Sequence, residues 1–158
     1  MTDPRAARII DVNLNRLTEG LRVVEDVVRL GLEDRRVLAG VRKLRTQLGR
    51  DVRALRRQVI PSRKSETDLG RGDRFDRAKR KSLEDVLLAN FKRAEESARV
   101  LEEVLKVTEP ELAGKFKAVR FRLYDLEREA LAVNDEARAE AKLEGRNSKS
   151  ESSSKRGE

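Results

Sequence analysis

The sequence predicts an all-α protein: an antiparallel bundle of two related helical hairpins, with pseudo-two-fold symmetry and a long functional loop between them. Three observations carry that prediction. Apolar residues recur at steps of three and four almost throughout, with no strand-like alternation. A polar ladder occurs twice, as NLNRLTEGLRVVED at 13–26 and NFKRAEESARVLEE at 90–103. Overlaid, the two stretches pair Asn13 with Asn90, Arg16 with Arg93, Glu19 with Glu96, Arg22 with Arg99, Val23 with Val100 and Glu25 with Glu102. Beyond each ladder a fainter echo sets LRTQL at 44–48 against VRFRL at 119–123, so the repeat spans a whole hairpin. One hairpin cannot bury its apolar face alone; two packed together form a four-helix bundle.

Each element follows from its own signals. Asp3-Pro4 supplies an N-cap and a first-turn proline, and Gly31 is the expected end of the first helix. Its inward seam is Ile10, Leu14, Leu17, Leu21, Val24 and Val28. The second helix is expected from Asp34 to Val59, with Val37, Val41, Leu44, Leu48, Val52 and Leu55 inward, and Pro61 stops it. Ser82 with Asp85 has capping-box spacing and opens the third helix, whose inward residues are Leu87, Phe91, Ala94, Ala98, Leu101 and Leu105. Thr108 with Glu111 repeats that spacing before a fourth helix that turns Leu112, Phe116, Val119, Leu123, Leu126 and Ala130 inward. The bundle domain is thus expected over 1–133, with the loop at 61–81. The Ser/Lys/Glu-rich tail at 134–158 reads as mostly disordered.

Composition removes whole classes of chemistry. The chain of 158 residues has no Cys and no His, so thiolate nucleophiles, disulfides and histidine bases are excluded. No apolar run approaches the roughly 18 residues of a membrane span, and the expectation is a soluble cytoplasmic protein. The net charge is +8, concentrated between Arg35 and Lys81, where 17 Lys and Arg face 5 Asp and Glu. Such a field draws anions: nucleic acid, acidic lipid or phosphorylated small molecules.

The repeated ladder has two readings. Beside the core seam, Ile9, Asn13, Arg16, Gly20, Val23, Val27 and Leu30 form a second seam, matched by Val86, Asn90, Arg93, Ser97, Val100, Val104 and Val107. An Arg in a semi-buried seam needs an anion within reach, and the small Gly20 or Ser97 leaves space, which describes a polar cavity for an anionic ligand. Alternatively the acids and arginines, spaced at three and four residues, pair along their own helix for a few tenths of a kcal/mol each. The loop favours the first reading. Arg63 and Lys64 suit phosphate, Ser65 a phosphate oxygen, Asp68 a magnesium ion, and Gly70 a close backbone approach. The P-loop pattern is absent.

Together, DVNLNRLTEGLRVVEDVVRL, RKSETDLG, ANFKRAEESARVLEEVLK and AVRFRLYDLE resemble the monofunctional hydroxymethylpyrimidine phosphate kinase family, the helical domain often fused ahead of thiamine phosphate synthase. The resemblance runs from Arg8 to Glu129. It implies an ATP- and magnesium-dependent kinase that makes the pyrimidine pyrophosphate for thiamine synthesis. It places the ligand-binding pattern on Asn13, Arg16 and Glu19, on Asn90, Arg93 and Glu96, and on Arg63, Ser65, Asp68 and Gly70. Where the family is expected to carry an acid, this chain has Lys64, which leaves Asp68 as the metal candidate. On this view Arg16 and Arg93 clamp phosphates, the two Asn orient pyrimidine or arginine, and the loop closes over ATP. A phosphate monoester is already anionic at neutral pH, with a second pKa of about 6, so the lack of a histidine base is no obstacle. The alternatives are a basic module for RNA or another polyanion, weakened by the scarcity of stacking aromatics, and a non-catalytic partner of thiamine phosphate synthase. Homodimerisation is left open, and no membrane partner is expected.

Overall fold

The computed structural model describes residues 3–72 and 79–154, with side chains placed through 70 and from 79 to 144. Residues 73–78 of the expected loop, and the charges they carry, lie outside the described residues. Among the described residues every regular element is helical: α1 (Pro4–Val27), α2 (Arg35–Asp51), α3 (Arg53–Val59), α4 (Leu83–Thr108) and α5 (Pro110–Ser154). A π-helical turn, Val28–Leu32, follows α1, and short 3-10 turns occupy Ile60–Ser62, Ser65–Thr67 and Leu69–Gly72. The most extensive interfaces join α1 to α4 and α4 to α5; α2 packs across α1 and α5, and α3 packs on α1. The inward seam expected for α1 is wholly buried, as are Leu87, Phe91, Ala94, Ala98, Leu101 and Leu105 of α4. Leu and Val dominate this core, and each fully buried side chain of that size contributes about 1.5–3 kcal/mol over its exposed state.

Four local expectations are corrected. Two helices stand where one was expected over 34–59: a turn at Val52, with φ −95° and ψ −1°, divides α2 from α3, although the Val52 and Arg56 amides keep their bonds to the Leu48 and Val52 carbonyls at 3.0 and 2.8 Å. Gly31 does not end α1: among the described residues no glycine has positive φ, and the left-handed residue is Glu33, at φ 54°. Gly31 provides room instead, since a Cβ there would lie 3.3 Å from Leu83 Cδ1. Thr108 is the last residue of α4, not the cap of the next helix. Pro110 lacks an N–H and begins α5, so Glu109 alone links the two. The fourth helix also continues past 133. Asn134 donates to Glu84 at 2.7 Å and Arg138 pairs with the same carboxylate, so the start of the tail is tied to α4.

The Ser82 cap forms as expected: its hydroxyl accepts from the Asp85 amide at 3.1 Å, and Asp85 accepts from the Lys81 amide at 2.8 Å. Glu95, buried between α4 and α5, is less ordinary. Burial, the neighbouring Glu127 carboxylate and a hydrogen bond with it push its carboxyl up from 4.5 to about 7. Between those values the folded chain keeps a proton that the unfolded chain releases. Stability from the protonated carboxyl is therefore full below the window and lost as pH rises through it. Glu95→Gln is expected to gain on the wild type in melting temperature across that window. Parallel melting curves against pH would show that Glu95 does not titrate there.

Candidate functional site

The ladder divides into a structural half and an exposed half. In α1 the lower rungs fasten the first hairpin: buried Glu25 accepts from Arg42 Nε at 3.1 Å and pairs with Arg45. In α4 the equivalent Glu102 accepts from Arg120 Nε and Nη2 at 3.1 and 3.0 Å. Arg45 and Arg120 are the counterparts in the second echo, so one clasp is made twice. Burial alone would push the Glu102 carboxyl up, but Arg120 and Arg99 outweigh it and hold it below its ordinary value. Arg22 with Asp26 and Arg99 with Glu103 add exposed pairs along each helix, at 3.3 and 2.9 Å. For these lower rungs, ion pairing is the correct reading.

The upper rungs face a groove. Asn13 donates to the Ile9 carbonyl at 2.9 Å and Asn90 to the Val86 carbonyl at 2.8 Å. Each amide satisfies its nitrogen on its own helix and keeps its oxygen for other donors. The helices run antiparallel and close together at Gly20, where a Cβ would meet the Asn90 carbonyl oxygen at 3.0 Å. Beside this crossing opens a groove of about 830 Å³ lined by Asn13, Arg16 and Glu19 from α1 and by Lys92, Arg93, Glu96 and Ser97 from α4. The two copies of the ladder do meet across one cavity. The expected semi-burial of the arginines is corrected: Asn13 is buried, whereas Arg16, Glu19, Arg93 and Glu96 are exposed. Each three-residue step falls about 60° short of a full helical turn, so the rungs rotate progressively out of the seam.

The loop joins the same region from the other side of α1. Asp11 is 2% exposed and takes a two-pronged bond from Arg63, with Nε and Nη2 each at 2.7 Å. Arg63 therefore anchors the loop while also lining the pocket beside it, and its bonds to Asp11 raise its pKa above the ordinary value. Downstream, the Asp68 carboxylate accepts from the Gly70 amide at 2.8 Å and shapes the turn. The anchored loop encloses a pocket of about 290 Å³ whose lining includes Arg8, Asn15, Arg16, Lys64, Ser65 and Asp68. A neighbouring pocket of about 380 Å³ shares Arg8, Arg16 and Asp68 and reaches Asn13. Arg16 lines both of these and the groove. Asn90 and Gly70 stand outside these linings, the first half-buried one turn from the groove and the second at the loop turn.

Asp11, Arg8 and Asn15 line the loop pocket, and none of them, nor Arg56 behind Asn15, was singled out as a candidate from the sequence. Arg56 donates to Asn15 at 2.8 Å and to Thr18 at 3.4 Å, beside the anchor. A signal existed: Asp11, Thr18 and Glu25 stand seven residues apart, next to core positions, and each is met by an arginine from α2, α3 or the loop. Among the described residues no group of three or more acids could hold a metal by itself. Asp68 is a single exposed carboxylate, a donor that suits magnesium when most of its ligands are phosphate oxygens and water. No helix among the described residues is long and apolar enough to cross a membrane.

Known proteins share this chain's sequence over nearly its whole helical bundle. The chain is 42% identical over 142 residues to a thiamine-phosphate synthase of Synechococcus sp. (strain CC9605), covering 89% of this chain and 40% of that protein. The thiamine-phosphate synthase of Thermosynechococcus vestitus is 42% identical over 131 residues, covering 82% and 36%. That of Gloeobacter violaceus is 42% identical over 121 residues, covering 76% and 35%. The chain thus spans about two fifths or less of the length of these curated relatives. No solved structure matches it with significance. The ThiD2 family model matches residues 8–129, which include the ladder on both helices, the loop and the clasps. The chain belongs to the ThiD2 family.

Proposed function

We propose that this protein is a kinase of thiamine biosynthesis, transferring the terminal phosphoryl group of ATP to hydroxymethylpyrimidine phosphate. The observation that carries the reading is Arg16, which lines three adjoining cavities on α1 and can touch two phosphorylated ligands at once. The names of the relatives and the resemblance of the four sequence blocks point to the same pathway.

The chemistry asks little of the side chains beyond charge and position. The acceptor oxygen belongs to a phosphate monoester that is already ionised at neutral pH, so no residue need remove a proton. The residues must bring two anions together and stabilise the transferring group, which suits Arg16, Arg93 and Lys64. Magnesium accompanying ATP would be held by Asp68 with phosphate oxygens, and it would neutralise charge on them. ADP production is expected with hydroxymethylpyrimidine phosphate and not with the unphosphorylated pyrimidine. Equal rates with and without either pyrimidine would dismiss the kinase.

A second reading has one observation in its favour. Residues 35–59 carry nine basic residues and one acid, and Arg36, Lys43, Arg50 and Arg57 repeat at seven-residue intervals on the exposed face. None of the four makes an ion pair with a described residue. Under this reading the outer face of α2 and α3 docks RNA or another polyanion, or thiamine phosphate synthase itself. RNA binding that weakens steeply with salt, without ATP turnover, would favour it over the kinase.

A further inference from the structure

We infer that the cavities meeting at Arg16 divide the two ligands: the ATP triphosphate takes the pocket between α1 and the anchored loop, and the pyrimidine phosphate takes the α1–α4 groove. This rests on the kinase reading and assigns what that reading leaves open. The first support is an asymmetry built into the repeat. Asp11 pins the loop to α1 through Arg63, but the position that corresponds to Asp11 in α4 is Leu88, which offers an arginine nothing. Only one of the two ladders can therefore hold a loop in this way.

Donor chemistry supplies the second support. The loop pocket offers Arg8, Arg16, Arg63 and Lys64 and the Ser65 hydroxyl, with the exposed carboxylates of Asp68 and Glu19 and the Arg63-bonded carboxylate of Asp11. ATP arrives with a magnesium ion, which the exposed Asp68 carboxylate would help to hold together with the phosphate oxygens. The groove shares Glu19 with the loop pocket and adds Glu96, with Asn13 at its floor and Lys92 and Arg93 beside them. Carboxylates and an amide oxygen accept hydrogen bonds from the exocyclic amino group of an aminopyrimidine, while the cations take its phosphate. Arg16 stands where the two phosphates come together. There the bond from the γ-phosphorus to the bridging oxygen breaks as a new bond forms to an oxygen of the monophosphate. ADP leaves with the bonding pair, and no proton moves.

Asp11 is then a positioning residue for the nucleotide side, acting through Arg63 and the loop. The test is calorimetric binding to the full chain, with a non-hydrolysable ATP analogue and, separately, hydroxymethylpyrimidine phosphate. Arg8→Ala and Lys64→Ala are expected to weaken the ATP analogue about tenfold or more and leave the pyrimidine phosphate within about twofold. Arg93→Ala is expected to do the reverse, and Arg16→Ala to weaken both. Asp11→Asn should follow the Lys64 pattern, with the Asp11→Glu variant recovering part of the loss. Interchanged or uniform effects, in a wild type that turns over, would overturn the division and leave the kinase standing. A folded wild type that binds neither ligand and shows no turnover would overturn both.

Discussion

Arg16→Ala is expected to lower kcat/KM for phosphoryl transfer about a thousandfold while leaving the melting temperature within a degree or so of wild type. The kinetic loss is large because a cation aimed at developing phosphate charge is worth about 2.7–4 kcal/mol in a preorganised site. Arg16 is placed to serve both the transferring and the accepting phosphate. The structural loss is small because Arg16 is exposed and makes no ion pair with a described residue. Arg16→Lys should restore only part of the rate, since an ammonium keeps the charge but loses the planar fork that grips two oxygens. Arg22→Ala provides the internal comparison. It lies two turns along the same helix and pairs only with Asp26 among described residues, so it should leave both rate and stability nearly unchanged. Full activity in a folded Arg16→Ala protein would remove Arg16 from the chemistry altogether.

Gly20→Val is expected to cost about 3 kcal/mol or more, enough to leave a marginal domain largely unfolded at moderate temperature. The backbones of α1 and α4 approach so closely here that a Cβ would stand 3.0 Å from the Asn90 carbonyl oxygen and 3.5 Å from Ala94 Cβ. Valine adds two further carbons on a stiff χ1, and a main-chain oxygen inside a helix cannot step aside. Relief requires separating α1 from α4, which opens the core and deforms the groove. Two other glycines give the opposite sign. Gly49 and Gly114 lie in helices with nothing within 4 Å of the place a methyl group would take, so alanine at either should stabilise the fold by about 0.5–1 kcal/mol. Chemical denaturation of the three variants would check the contrast, and equal effects at all three positions would discard the close-approach argument.

Much of the fold was legible because burial and helical period are the same information. Every inward position read for α1 and α4, from Ile10 to Leu105, is buried, since a step of three or four residues can face only one neighbour. Caps were legible where one local bond decides them, as at Asp3 and Ser82. They failed where competition decides: α4 ran on through Thr108 because Pro110 opens α5 one residue later than its cap spacing implied, and Gly31 spared room for Leu83 while Glu33 took the left-handed turn.

The candidate site was half legible. The repeat named the residues that line the groove, but it could not separate rungs that pair from rungs that face solvent. That separation depends on which helix lies opposite. Glu25 and Glu102 each meet an arginine from the following helix, whereas Arg16 and Glu19 rotate into open space. Arg63 illustrates the same limit, for nothing in its loop pointed to Asp11, 52 residues away in sequence, as the group that holds it.

By itself the sequence determined the helical class, the core positions of α1 and α4, the repeated ladder and the absence of thiol and imidazole chemistry, because each of these is a local or compositional property. Only the tertiary structure decided that α1 carries the loop, that Arg63 anchors it to Asp11, that Arg8 joins the pocket lining, and that Arg16 stands where three cavities meet. Those outcomes depend on which side chains lie within about 3 Å across helices far apart in sequence, and charge spacing along one helix carries no such distance.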